Sequence, residues 1–231
     1  MKETRKPDTE MEAASSLSRR KFLNYAGAFA GAGILLAACH KKDDDSPTPV
    51  DANTIDLGAN DQGLLNYAYL LKQLKASFYT QALTTRFPGM TDAEVGFFIQ
   101  MRDHEVAQRE FLKNYQGTNA IPMLETDFSS IDFNLKNSVY AKAKFFEEVS
   151  TSGMAGICKL IVFSDTLMFL TKINSVDARH SATVNDFVYM GSFAEKADAN
   201  GMEPALDPHS SLDTTKQFFK KTVSGENLPK Y

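Results

Sequence analysis

Between residues 61 and 190, apolar residues recur at spacings of three and four, the period of helices with one buried face. Over 61–86, Leu64, Tyr67, Leu71, Leu74 and Phe78 form one such stripe, opened by Asn60-Asp61 and closed before Pro88-Gly89. Thr91-Asp92-Ala93-Glu94 is a capping box that predicts a second helix over 92–116, with Gly117 as its stop. From Thr118 to Asn134 no helical period is present, and that length suits a crossover connection rather than a hairpin turn. A third helix is predicted over 136–163 and a fourth over 165–190, with Ser164-Asp165 as its N-cap and Gly191 near its end. Residues 191–231 are mixed, with a short fifth helix expected over 211–222. Two helix pairs joined by one long crossover define an all-α fold, a four-helix bundle.

The stripes are interrupted by polar residues near the middle of each helix. The second reads Phe98, Met101, Glu105, Gln108, Leu112, Tyr115. The third reads Tyr140, Ala143, Glu147, Ser150, Met154, Ile157, Ile161, and the fourth Leu170, Ile173, Asp177, His180, Val184, Phe187. Beside the apolar stripe of the first runs Ala68, Lys72, Lys75, Tyr79. Midpoints of antiparallel helices share a layer, so Lys72, Lys75, Glu105, Gln108, Glu147, Asp177 and His180 are expected to meet in one buried cluster. Buried charge is costly unless paired, so the cluster needs a metal, an opposite charge or water. His104 lies off the stripe and is expected to face solvent, while His40 and His209 fall in linker and tail.

Ahead of the helices lies a different pattern. Residues 1–20 are polar and charged, and the run Ala26–Ala38 carries no charge and is too short to span a bilayer as a helix. A basic region, a short apolar region and small residues at its end make an export signal over 1–38. Ser18-Arg19-Arg20-Lys21-Phe22-Leu23 resembles the twin-arginine class, which carries proteins already folded. Leu36-Ala37-Ala38-Cys39 resembles a lipobox, which implies a lipid on Cys39 and anchoring to a membrane outside the cytoplasm. Residues 39–60 read as an acidic, flexible linker. Within it, Lys41-Lys42-Asp43-Asp44-Asp45 resembles the surface-export signal of Bacteroidota lipoproteins, or equally an ordinary solvated linker.

Charge and cysteine content narrow the partners. Of 25 basic and 29 acidic residues, segment 1–38 holds six and four, leaving 19 against 25 and a net charge of −6 after cleavage. That balance argues against nucleic acid as a partner. Of the two cysteines, Cys39 is assigned to lipid, so Cys158 has no partner for an intramolecular disulfide and reads as a buried, inert thiol. Nucleophile motifs, phosphate-binding loops and zinc-type cysteine spacings are absent.

Three segments carry a family resemblance. Leu64-Leu65-Asn66-Tyr67-Ala68-Tyr69-Leu70-Leu71-Lys72-Gln73-Leu74-Lys75-Ala76-Ser77-Phe78-Tyr79 resembles the first helix of secreted, twin-arginine-linked bacterial ferritin-like proteins. Phe146-Glu147-Glu148-Val149 and Val176-Asp177-Ala178-Arg179-His180 are similar to the family's third and fourth helices. The resemblance covers about 60–190 and implies a ferritin-like bundle with a di-metal carboxylate site, and such bundles often form homo-oligomers. Carried over by position, Glu105, Glu147, Asp177 and His180 stand at ligand positions, whereas Lys72, Lys75 and Gln108 replace two glutamates and a histidine. Two ammonium groups repel a cation and cannot ligate it while protonated, so a salt-bridge network without metal cofactor is expected. The alternative is one metal, iron, manganese or zinc, held by the four remaining ligands. The corresponding functions are a non-catalytic binding or structural lipoprotein of the envelope, or an envelope oxidase, ferroxidase or peroxide-consuming enzyme.

Overall fold

The structure, a computed structural model, describes residues 51 and 53–230. The export segment 1–38, Cys39, His40 and the linker through residue 50 lie outside them. Four long helices dominate: α1 (Asn60–Thr85), α2 (Asp92–Gln116), α3 (Lys136–Cys158) and α4 (Ser164–Val188). A short α5 (Pro208–Thr215) continues into a 3₁₀ turn, Lys216–Phe218. Strands β1 (Ile55–Asp56) and β2 (Val223–Ser224) pair in parallel, Ile55 with Val223 and Asp56 with Ser224, and so hold the two ends of the described chain together.

The layout is the all-α bundle expected from the stripes. α1 turns at Pro88-Gly89 into α2, whose capping box forms as predicted: Thr91 N donates to Glu94 Oε2 at 2.8 Å and Glu94 N to Thr91 Oγ1 at 3.3 Å. The crossover then climbs beside α1. Ile121 N donates to Asn66 Oδ1 at 3.0 Å, Leu124 N to Gln73 Oε1 at 2.7 Å, and Phe128 and Phe133 close on Phe78. At its top α3 begins beside the start of α2, where Lys136 Nζ meets Glu94 Oε1 at 2.7 Å. α2 and α3 therefore run in the same direction, which is what a crossover, unlike a hairpin, produces. α5 docks on α1 and α3 through Tyr67, whose hydroxyl donates to Ser211 Oγ over Gly153. A Cβ at Gly153 would stand 2.0 Å from that hydroxyl, so only glycine lets the contact form.

Helix ends differ from the periodicity in several places: α1 spans 60–85 rather than 61–86, and α4 ends at Val188 rather than 190. α3 stops at Cys158 rather than 163, because 159–163 form the corner into α4. α4 begins at Ser164 rather than 165, and Ser164-Asp165 do not cap it. Asp61 of α1 does so instead, accepting from Val162 N at 2.9 Å and Phe163 N at 3.0 Å. The fifth helix lies at 208–215 rather than 211–222, started by Asp207, whose carboxylate accepts from Ser210 N, and by Pro208 in its first turn. Cys158 is half-buried rather than fully enclosed, and burial raises its thiol pKa. No helix among the described residues is long and apolar enough to cross a membrane.

Candidate functional site

The polar interruptions converge midway along the bundle. Lys72, Lys75, Glu105, Glu147 and Asp177 have no solvent exposure, and His180 is 7% exposed. Each helix brings its share because its apolar stripe packs inward on either side. Phe98 and Met101 precede Glu105, Ala143 precedes Glu147, and Leu170 and Ile173 precede Asp177, all of them buried.

The two lysines of α1 organise the cluster. Lys75 Nζ lies 2.8 Å from Glu105 Oε1, 2.8 Å from Glu147 Oε2 and 3.4 Å from Asp177 Oδ1. Lys72 Nζ contacts Asp177 Oδ2 directly and lies 3.1 Å from Glu105 Oε2. Acids from all three other helices are thus tied to the first. Tyr79, one turn beyond Lys75, donates its hydroxyl to Glu147 Oε1 at 2.7 Å. On the far side, His180 Nδ1 lies 3.2 Å from Glu105 Oε1.

Charge is distributed unevenly among these groups. Burial alone would lower Lys75, but Asp177, Glu105 and Glu147 together hold its pKa well above the ordinary lysine value. Burial would raise Glu105, yet Lys72, Lys75 and His180 hold it well below the ordinary value, so it is a carboxylate. Glu147 behaves oppositely. Burial raises its pKa, and Lys75 offsets this only in part while Glu105 and Asp177 add to it. Burial, with Glu147 beside it, also raises Tyr79 well above its usual value, so Tyr79 stays a hydrogen-bond donor. Burial thus pushes Glu147 towards its protonated form, whereas the lysines beside Glu105 favour its charged form.

Gln108 was expected in the buried cluster, and the structure places it elsewhere. Gln108 lies one helical turn from Glu105 but outside the ion cluster, on a surface cavity of about 480 Å³ that His104 and His180 also line. Its Oε1 is buried and makes no hydrogen bond among the described residues. His104 is exposed as expected, yet its Nδ1 lies 3.0 Å from His180 Nε2, with the two rings parallel to within 3°. The cluster therefore reaches the surface through the series Glu105, His180, His104. Tyr79 was readable only as a stripe residue, since a phenol at helical spacing looks apolar.

Two chemistries are compatible with such an arrangement. Donor atoms of Glu105, Glu147 and His180 lie within 4.8 Å of one another, close enough to share one cation. Glu105 Oε1 and Glu147 Oε2 already bind the Lys75 ammonium. A search among curated proteins finds no match to the chain. Residues 60–190, more than half the chain, match the ferritin-like domain, the same span that holds the four long helices and their central acids. The protein belongs to the ferritin-like domain family.

Proposed function

We propose that this protein is a ferritin-like lipoprotein held to the cell envelope by a lipid on Cys39, with a binding or structural role, in which two lysines have taken the place of metal ions. The observation that carries the reading is the position of Lys75 Nζ, 2.8 Å from both Glu105 and Glu147. A ferritin-like centre implies two metal ions held by glutamates and histidines from the four helices. The donor set here does not fit that group. Three acids and one imidazole remain, and two ammonium groups already bind the carboxylates that would hold the ions. A cation entering among them would meet repulsion from both lysines at close range in a site of low dielectric. The envelope location rests on the export segment, the lipobox-like Leu36-Ala37-Ala38-Cys39 and the acidic linker.

Metal analysis of protein purified without chelator tests the centre, and a preparation free of iron and manganese is expected. The competing reading, an envelope oxidase with a single-metal site, is favoured by the close approach of Glu105, Glu147 and His180 donors. Stoichiometric iron or manganese, with a new absorbance band on aerobic iron addition, would establish it instead. Mass spectrometry of the mature N-terminus is expected to show an acylated Cys39; an unmodified chain starting elsewhere would refute the anchor.

A further inference from the structure

Helices α2 and α4 touch near both of their ends. Phe97 packs edge-on against Phe187 with ring centroids 4.9 Å apart, and Phe111 and Tyr115 pack on Phe169 at 5.2 Å and 4.6 Å. Between these contacts the two helices leave the cavity of about 480 Å³ that His104, Gln108 and His180 line. Its walls are mostly apolar, from Phe97, Met101 and Val176. Cavities that hold small molecules are of this kind, about 300–1,000 Å³ with apolar walls and a few placed polar groups.

Two of its polar groups are incompletely used. Gln108 Oε1 is buried and accepts no hydrogen bond among the described residues. The terminal amide torsion of a glutamine is soft, so a turn about it brings that oxygen to the cavity. A donor arriving there relieves the cost of an unpaired buried acceptor. Arg179 donates to Ser175 Oγ at 3.1 Å and, among the described residues, meets no carboxylate. By contrast, Arg102 and Arg109 of α2 are each paired with the acid that follows them, Asp103 and Glu110. No carboxylate lines the cavity among the described residues, so its one permanent charge is the Arg179 guanidinium, in a chain of net charge −4.

We propose that this cavity binds a small phenolic acid: a carboxylate with an apolar ring and a hydroxyl group. The carboxylate pairs with the fork of Arg179 on α4, and the hydroxyl meets the Gln108 amide on α2. The ring lies against Phe97, Met101 and Val176. Other ligand classes fit less well. A cationic ligand would meet the guanidinium with no acid to offset it. A wholly apolar one would leave Gln108 Oε1 unpaired. A metal ion would find the two imidazoles already spent on each other, with His104 Nδ1 and His180 Nε2 3.0 Å apart. The inference gives the binding role proposed above a place and a ligand. It draws on none of the lysine contacts, so the two readings stand or fall separately.

Titration calorimetry on the full chain tests this with three probes: 4-hydroxyphenylacetate, phenylacetate, which lacks the hydroxyl, and tyramine, which carries an ammonium in place of the carboxylate. The hydroxy acid is expected to bind once per chain, phenylacetate about fivefold more weakly, and tyramine not at all. Arg179→Gln is expected to weaken the hydroxy acid about tenfold. Gln108→Leu is expected to remove the difference between the two acids while both still bind. That variant is its own control, because the comparison is between two probes on one folded protein. No heat from 4-hydroxyphenylacetate at millimolar concentration would overturn the proposal. So would equal affinity for all three probes, or an affinity for the hydroxy acid that Arg179→Gln leaves unchanged. Each of these results would leave the lysine-filled centre to its own metal analysis.

Discussion

Lys75 sits fully buried among three carboxyl groups, and its ammonium is what makes their burial tolerable. A methionine at this position preserves the length of the side chain but removes the charge, leaving Glu105 and Glu147 buried without it. Breaking a buried ion network from one side costs about 3–5 kcal/mol, because the stranded charge has no water to turn to. Urea unfolding of Lys75→Met at neutral pH is expected to show a loss of that order, and the loss should shrink in acid as the stranded carboxyl groups take up protons. An unchanged midpoint would mean the lysine contributes nothing to holding the cluster. Much of this cluster was legible in the sequence, since Lys72, Lys75, Glu105, Glu147, Asp177 and His180 interrupt apolar stripes at matching depth. The illegible parts have physical reasons. Gln108 shares the stripe phase of Glu105, but a short rotation about the helix axis takes it to the surface cavity. His104 is off the stripe, and only the path of a neighbouring helix brings His180 to it.

Glu94 joins two elements, closing the capping box of α2 while binding Lys136 and Tyr140 of α3. Burial would raise its pKa, but the hydrogen bonds from Lys136, from the Thr91 backbone and hydroxyl and from the Tyr140 hydroxyl outweigh it and bring the value down from 4.5 to about 2. A depressed carboxyl pKa stabilises the fold above the unfolded value and loses that contribution as pH falls through the folded one. The contribution is on the order of 2 kcal/mol, given that Lys136 is itself largely exposed. It is present above about pH 4.5 and lost as pH falls towards 2. Glu94→Gln is expected to flatten the stability profile in that interval, read as unfolding free energy against pH; a profile parallel to the parent would show that the carboxylate is not the titrating group. Helices were legible at this scale because local signals mark them: the Thr91–Glu94 box and the Gly117 stop both act as their chemistry predicts. The corner at 159–163 was not, because its apolar residues keep the period of α3 while Asp61, about a hundred residues earlier, supplies the cap of α4.

For the whole molecule, the question is what neutralises the acids at its centre. A bundle held by metal is stabilised through mass action, by about 2.7 kcal/mol when free metal exceeds its Kd a hundredfold. For a chain of this size that corresponds to roughly 5–10 °C in Tm, and a chelator would remove it. In the reading proposed above the neutralising groups are covalent, carried on α1 by Lys72 and Lys75. Thermal unfolding of the protein is therefore expected to be indifferent to EDTA and to added manganese. The pair Lys72→Glu and Lys75→Glu inverts the situation. Five carboxyl groups would then crowd one buried layer, too many to ionise together without a counter-charge. The double variant is expected to be markedly less stable than the parent in EDTA and to regain several degrees in Tm with manganese. That difference separates the two accounts of the centre at the level of the intact fold. A parent protein whose Tm drops with EDTA has a metal among its acids, and the lysines then cannot be its counter-ions.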